Sequence, residues 1–233
     1  MFKLFKKELN HYLNNPVGYI VLILFVVFAN FLYIKDIFVI GSASLRPFFG
    51  VLPWLLLIFI PALAMRSFSE EKRSNTIEVL LTLPLSETQI VIAKFMALMA
   101  LISIGMLLTI GLTVSLSLLS KIYYPEIIVG YLGILFLSMA LISLSMFFSS
   151  LTENQIAAFL VSVVVIFMLV VMGTDFFATV LPRVIQEGMT IFTPLYHLQN
   201  FIKGLIDFRS FFYFISMTVT FLFLTVVNLE KRA

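Results

Sequence analysis

The sequence predicts an all-α integral membrane protein with six transmembrane helices, and three observations carry that prediction. Apolar residues make up 61% of the 233 residues and charged residues only 12%, whereas soluble domains are closer to half apolar and a quarter charged. Six uncharged apolar runs have about the 20 residues that a helix needs to cross a bilayer. These runs are continuous and do not alternate with polar residues, which argues against a barrel. The predicted spans are residues 17–34, 48–65, 95–119, 127–148, 156–173 and 211–229.

The positive charges predict the orientation of these spans. An even number of spans places both termini on one side of the membrane. If that side is the cytoplasm, the inside segments hold nine of the Lys and Arg residues and the outside segments hold six. This bias follows the positive-inside rule, so we expect both termini to be cytoplasmic. A net charge of +3 is too small to indicate a nucleic-acid partner.

The first element is an amphipathic segment at residues 2–14. Phe2, Phe5, Leu9 and Tyr12 fall on one helical face, and the lysines fall elsewhere. This pattern is typical of a basic interfacial helix that lies in the headgroup region. The alternative is a basic flanking segment that has no fixed shape.

The cytoplasmic segment between spans two and three, Arg66–Lys94, carries eight of the chain's 27 charges. It contains two helix-start patterns in which a capping residue is followed three positions later by Glu or Gln. The first pair is Asn75 with Glu78, and the second is Ser86 with Gln89. The sequence therefore predicts two helices here, of which the second runs on toward span three.

An apolar stripe lies between these two helix starts. Ile77, Leu80 and Leu81 have the i, i+3, i+4 spacing of one helical face, and Pro84 ends that helix. A loop that only connects two spans needs neither caps nor a stripe, so we expect a partner in this chain or in a second protein. The alternative is that the stripe rests on the membrane surface.

Two other connections have distinct patterns. The cytoplasmic loop at 149–155 is short, and its hydroxyl and amide side chains suit the capping of its flanking helices. The outer segment at 174–210 is long, and its apolar parts at 180–185 and 195–206 predict short, re-entrant-like helices before span six. We interpret His197 as a residue that binds no metal, because no other ligand type lies near it in the sequence.

The motifs of catalysis and ion coupling are missing from the sequence. There is no cysteine, no Gly-rich phosphate loop, no HExxH and no GxSxG. No Asp, Glu, Lys, Arg or His lies inside a predicted span, so no proton relay is evident. Asp175, at the outer end of span five, is the nearest candidate, and a capping role explains it. We therefore expect a non-catalytic chain without cofactor or metal, whose energy comes from elsewhere.

The segment that follows span two carries a family resemblance. Residues 65–86, MRSFSEEKRSNTIEVLLTLPLS, resemble the pattern found in the transmembrane subunits of ABC-2 type ABC transporters, although that family usually has Gly where this chain has Asn75. Lys94 matches the basic residue before span three. The segments at 14–20 and 149–159 resemble more narrowly the permeases related to the gliding-motility ABC transporter of Bacteroidetes. The resemblance covers essentially the whole chain.

The resemblance implies a single ABC-2 type transmembrane domain over residues 1–233, acting as the permease of an exporter in a bacterial cytoplasmic membrane. It implies that ATP binds to a separate subunit. The implied partners are two ABC ATPase subunits, a second permease chain (identical or paralogous), the lipid membrane and an optional accessory extracytoplasmic protein. The coupling helix that contacts the ATPase would consist of Ser86, Glu87, Thr88 and Gln89. The supporting residues of the coupling segment would be Arg66, Glu70, Glu71, Thr76 and Glu78.

Three alternatives stay open at this stage. A membrane anchor or scaffold for an ATPase complex would share the cytoplasmic partner site but have no transport path. A stand-alone secondary transporter is disfavoured by the uncharged spans and by the absence of a recognisable repeat between the halves. The permeases of cytochrome maturation share the pattern after span two. The transported substrate does not follow from the sequence.

Overall fold

The computed structural model describes residues 1–40, 44–77, 85–119, 122–174 and 191–231, and the regular elements in these ranges are α-helices. Several predicted features lie outside the described residues: Glu78, the Leu80 and Leu81 part of the apolar stripe, Asp175 and the segment at 180–185. The helices are α1 (Phe2–Asn14), α2 (Pro16–Ile40), α3 (Arg46–Ala64), α4 (Arg66–Arg73), α5 (Glu87–Leu119), α6 (Tyr124–Leu151), α7 (Gln155–Val171), α8 (Pro194–Ile202) and α9 (Phe208–Glu230).

Five helical stretches in the described ranges are long and apolar enough to cross a membrane. They contain α2, α3 together with α4, α5, α6 and α9. The counterpart of the predicted span at 156–173 is α7, which is apolar but has only 17 residues. At 1.5 Å per residue α7 is about 25 Å long, against ~30 Å of hydrocarbon. The all-helical membrane architecture is thus confirmed, whereas the count of six spans stays a prediction.

Helix α1 has the predicted bounds, and it buries a row of residues against the rest of the protein. It buries Leu4, Glu8 and Tyr12, one row at i, i+4 and i+8, while Phe2 is 75% exposed. This row faces protein, because α1 packs against α5 and α2, whereas the lipid-facing role of Phe2, Phe5 and Leu9 stays a prediction. The residues that α1 turns toward the rest of the protein therefore form a different row from the residues that the apolar pattern assigns to lipid.

A tight elbow joins α1 to α2. The Asn15 backbone N–H donates to the His11 carbonyl, and the Asn15 side-chain Oδ1 accepts from the Val17 backbone N–H at 3.1 Å. A Cβ atom built on Gly18 would lie 1.9 Å from the Tyr12 carbonyl oxygen. Only glycine fits that position, and the close approach fixes the direction in which α1 leaves the bundle.

Helix α6 is the centre of the bundle, and it packs against α3, α4, α5, α7, α8 and α9. Small residues permit this close packing, as they do in many membrane bundles. A Cβ atom built on Gly130 would lie 2.4 Å from the Phe49 ring, and one built on Gly133 would lie 2.4 Å from Phe201 Cβ. Because the two glycines have no side chain, aromatic side chains of α3 and α8 can pack directly against the backbone of α6.

Helix α7 lies at the edge of the bundle. Its buried residues are Ala158, Ser162, Ile166 and Val170, which are spaced by four and form a single ridge. Most of the remaining positions of α7 are exposed or half-buried.

The end of the bundle at which α3 and α6 begin is held by polar contacts. Arg46 at the start of α3 forms a bidentate ion pair with Glu126 at the start of α6, with Nε–Oε1 and Nη2–Oε2 distances of 3.0 and 2.8 Å. The predicted short helix at 195–206 is confirmed in part, since α8 ends at Ile202. His197 on α8 is buried; its Nε2 lies 2.8 Å from the Ile191 carbonyl oxygen and its Nδ1 3.1 Å from Ser210 Oγ.

Candidate functional site at the junction of α1, α4 and α5

Helix α4, which the sequence did not predict, is the first element of the candidate site, a junction at which the ends of several helices meet. It begins directly after α3, and its first-turn amide groups need partners from outside the helix. Ser149 near the end of α6 provides one: its Oγ accepts from the Phe68 and Ser69 backbone N–H groups at 3.1 and 3.2 Å. The same hydroxyl donates to the Met65 carbonyl at 2.8 Å. Ser149 therefore caps a helix 80 residues away, whereas we expected it to cap its own neighbours.

The end of α4 corrects the predicted role of Asn75. Asn75 has a left-handed backbone with φ of 55°, its N–H donates to the Lys72 carbonyl, and the Thr76 N–H donates to the Glu71 carbonyl. This pair of bonds is the Schellman motif that ends a helix. Asn75 therefore follows the end of α4 and is not the N-cap of the next helix. The prediction failed because Asn is favoured at both kinds of position.

A buried ion cluster joins three elements of the junction. Lys94 on α5 contacts Glu71 of α4 at 2.8 Å and Glu8 of α1 at 3.1 Å. The Lys94 side chain is 3% exposed, and those of Glu8 and Glu71 are 9% and 19% exposed. Its ammonium also lies 5.5 Å from the centre of the Phe68 ring, within the range of a cation–π contact. We name this set, Glu8, Glu71 and Lys94, the Lys94 cluster.

A second polar contact joins α4 to the ends of α6 and α9. The buried Lys72 ammonium donates to the Ser150 carbonyl near the end of α6. The same carbonyl accepts from Asn228 Nδ2 of α9 at 2.7 Å. A cation at a helix C-terminus complements the carbonyl groups that are left unpaired there. The two contacts fix the C-terminal ends of α4, α6 and α9 to one point.

Tyr12 ties α1 to the end of α3. Its hydroxyl donates to the Leu63 carbonyl at 3.4 Å. Burial, followed by the nearby charge of Glu8, raises the pKa of the Tyr12 phenol. The group therefore stays protonated and remains a donor at physiological pH.

The predicted coupling residues Ser86, Glu87, Thr88 and Gln89 lie at the start of α5, which runs without a break from Glu87 to Leu119. They are thus the first turn of the third-span helix and not a separate helix. The predicted cap is confirmed in part, because Ser86 Oγ accepts from the Gln89 backbone N–H at 3.3 Å. Ser86, Thr88 and Gln89 are exposed and Glu87 is half-buried, so this turn is accessible to a second protein.

A cavity of about 200 Å³ lies between α1, α4 and the start of α5. It brings together four of the predicted supporting residues, Arg66, Glu70, Glu71 and Thr76. The predicted coupling turn does not line it. The remaining lining residues are Lys7, Glu8, His11, Tyr12, Ser67, Ser74 and Lys94. We name this space the junction cavity.

Glu8, Ser149 and Asn228 belong to the junction, although the sequence did not predict their part in it. Each lies far along the chain from its contact, which is Lys94 for Glu8, Phe68 for Ser149 and Ser150 for Asn228, so spacing gives no sign of it. For Glu8 the available signal is an acidic residue that interrupts a basic helix, next to the predicted apolar face.

Comparison with protein families agrees with this arrangement. The model of the family described as ABC-2 family transporter protein matches residues 6–229. The chain belongs to this family. It is a multi-pass membrane protein with the membrane domain of an ABC transporter permease subunit, a class that is generally non-catalytic and works with an ABC ATPase. No curated protein matches the chain.

Proposed function

We propose that this ABC-2 family chain is the permease of an exporter and that it couples ATP hydrolysis on a separate ATPase to movement of its helix bundle. The observation that carries the proposal is the Lys94 cluster. An exposed turn that binds an ATPase can act on the membrane only if it is rigidly connected to the spans. The Lys94 cluster supplies that connection, since it lies two helical turns along α5 from the exposed turn.

The connection reaches several spans at once. From Lys94, the contact with Glu71 leads through α4 to α3, and the contact with Glu8 leads through α1 to the elbow of α2. The Lys72 and Asn228 contacts with Ser150 extend the same rigid unit to α6 and α9. A displacement of the turn at residues 86–89 would therefore move the cytoplasmic ends of the bundle together.

Family membership and the sequence patterns support the remaining features of the proposal. They are six spans with both termini in the cytoplasm, a single transmembrane domain over 1–233, and a bacterial cytoplasmic membrane. The assembly would contain two permease chains and two ATPase subunits, with an optional accessory extracytoplasmic protein, and nucleotide would bind only to the ATPase. Within the family we place the chain nearest to the gliding-motility-related permeases, on the segments at 14–20 and 149–159.

The experiment that tests the proposal targets the exposed turn. The chain is co-expressed with the ATPase encoded beside it, and the complex is purified for measurement of ATPase binding and of permease-dependent ATP hydrolysis. Glu87→Ala with Gln89→Ala removes two polar side chains of this turn and leaves the Ser86 cap, which uses the Gln89 backbone N–H, in place. We expect ATPase binding to weaken about tenfold, which corresponds to ~1.4 kcal/mol. Transport-linked hydrolysis should fall with it.

The matched control is Glu153→Ala, which removes an exposed carboxylate from the other cytoplasmic connection. This variant should bind the ATPase as the unchanged chain does. If the double variant and the control bind equally well, the assignment of residues 86–89 as the ATPase contact is wrong.

A further inference from the structure

We propose that the junction cavity binds the headgroup of a cytoplasmic-leaflet phospholipid that carries both a phosphate and a primary ammonium, that is, a phosphoethanolamine lipid. This inference concerns a site that lies apart from the exposed turn at residues 86–89. It does not rest on the proposed coupling to an ATPase.

The position of the cavity places it at headgroup depth. Arg66 follows directly after the second predicted span, and Lys94 directly precedes the third. Both line the cavity, together with Tyr12 of the interfacial helix α1. Residues that flank the ends of two spans lie in the interfacial layer, where lipid phosphates and ammonium groups are found.

Two buried polar atoms in the residues that line this cavity need partners of opposite kinds. Arg66 Nε, a donor, and Glu71 Oε2, an acceptor, are both buried and have no hydrogen-bond partner in the part of the chain that the structure describes. A buried donor or acceptor that stays unsatisfied costs about 1–3 kcal/mol, and more if it is charged. Both residues line the cavity, and a single ligand with an anionic oxygen and a cationic N–H offers each of them a partner of the kind that it needs.

The charges that line the cavity match such a ligand. Three cations, Lys7, Arg66 and Lys94, face three carboxylates, Glu8, Glu70 and Glu71. Lys94 is already paired with Glu8 and Glu71. This leaves Lys7 and Arg66 available for an anion, and Glu70 with the free oxygen of Glu71 available for a cation. A purely anionic ligand would meet the two carboxylates, and a purely cationic one would meet Lys7 and Arg66.

The size of the cavity also favours a headgroup over single waters. Its volume of about 200 Å³ is more than ten times the ~10–15 Å³ that one water needs on the same measure. The mouth is lined by the exposed residues Lys7, His11, Ser74 and Thr76. A headgroup can therefore enter from the interface while its acyl chains remain in the leaflet.

The test uses the full chain, purified and delipidated in detergent, and compares three lipids by native mass spectrometry and by thermal unfolding. Phosphatidylethanolamine should bind about tenfold more tightly than phosphatidylcholine, because a quaternary ammonium has no N–H to donate to Glu71. It should also bind more tightly than phosphatidylglycerol, which lacks the cation. Equal binding of the three lipids to the unchanged chain would overturn the proposal without recourse to any variant.

Variants then locate the site. Arg66→Gln should abolish the preference for phosphatidylethanolamine, whereas Arg73→Gln should retain it, because Arg73 is an exposed cation of the same helix that does not line the cavity. A preference that survives Arg66→Gln would overturn the assignment to this cavity.

Soluble glycerophosphoethanolamine that binds as tightly as the lipid would contradict a membrane source. Displacement of the lipid by the co-purified ATPase would show that a protein group occupies the cavity instead.

Discussion

The Lys94 cluster gives the sharpest prediction for stability, through the substitution Lys94→Met. Methionine keeps the length of the side chain and removes the charge, so Glu8 and Glu71 lose their common cation. Removing one partner of a buried ion pair costs about 3–5 kcal/mol, because the other charge stays buried. The 19% exposure of the Glu71 side chain lets water recover part of this loss. We therefore expect the free energy of unfolding to fall by an amount near the lower bound, about 3 kcal/mol.

The assay is thermal unfolding in one detergent, followed through the fluorescence of Trp54, the single tryptophan. For a chain of this size, 1 kcal/mol shifts the melting temperature by about 2–4 °C, so the expected decrease is about 6–12 °C. The control is Lys6→Met, which removes an exposed lysine from α1. Its effect should stay within about 0.5 kcal/mol.

A rescue variant separates charge from packing. Lys94→Met combined with Glu8→Gln and Glu71→Gln leaves a neutral trio that has no buried charge. This triple variant should regain most of the lost stability, since replacing all members of a buried ion cluster is often nearly neutral. The reasoning would be refuted if Lys94→Met were as stable as Lys6→Met, or if the triple variant unfolded at the temperature of Lys94→Met.

Three further predictions concern backbone and packing, and each is measured by the same thermal unfolding. Gly133→Ala should lower the free energy of unfolding by about 1–3 kcal/mol, because its Cβ would overlap Phe201. The control is Gly111→Ala, whose new Cβ has no atom within 4 Å. It should be neutral or stabilising by up to about 1 kcal/mol. Asn75→Gly should be at least as stable as the unchanged chain, and Asn75→Ala should be less stable by about 1 kcal/mol. An N-cap at this position would not produce this order of stabilities. Ser149→Ala should cost about 1–2 kcal/mol, because two amide groups at the start of α4 lose their acceptor; a loss below ~0.5 kcal/mol would count against the cap.

The spans were predictable because lipid imposes one simple rule on every position of a helix. Continuous apolar length decides whether a helix can cross the membrane, and that length can be counted in the sequence. The run at 211–229 accordingly lies inside α9 and the run at 127–148 lies inside α6. The short helix α8 was also predictable, because proline and glycine punctuate the apolar segment around it.

The junction was only partly predictable, because its contacts join residues that are far apart in the chain. The segment that contains Arg66, Glu71 and Lys94 stood out by its charge, but its partners Glu8 and Ser149 are separated from it by more than fifty residues. Local patterns also allowed two interpretations of Asn75. The glycine that the family usually has there was the available signal for the correct one, since glycine is strongly enriched just after helices and only modestly at their starts.

The single ridge of α7 has a consequence for how this helix tolerates substitution. Because the fully buried residues of α7 are every fourth one, exchanges to larger side chains should be rejected mainly at Ala158 and Ser162, whose side chains are the smallest of the ridge. At the outward positions the chain itself sets no limit on side-chain shape beyond that of lipid. Any shape restriction that saturation mutagenesis detects on that outward side would thus be imposed by a neighbouring molecule and would map its footprint.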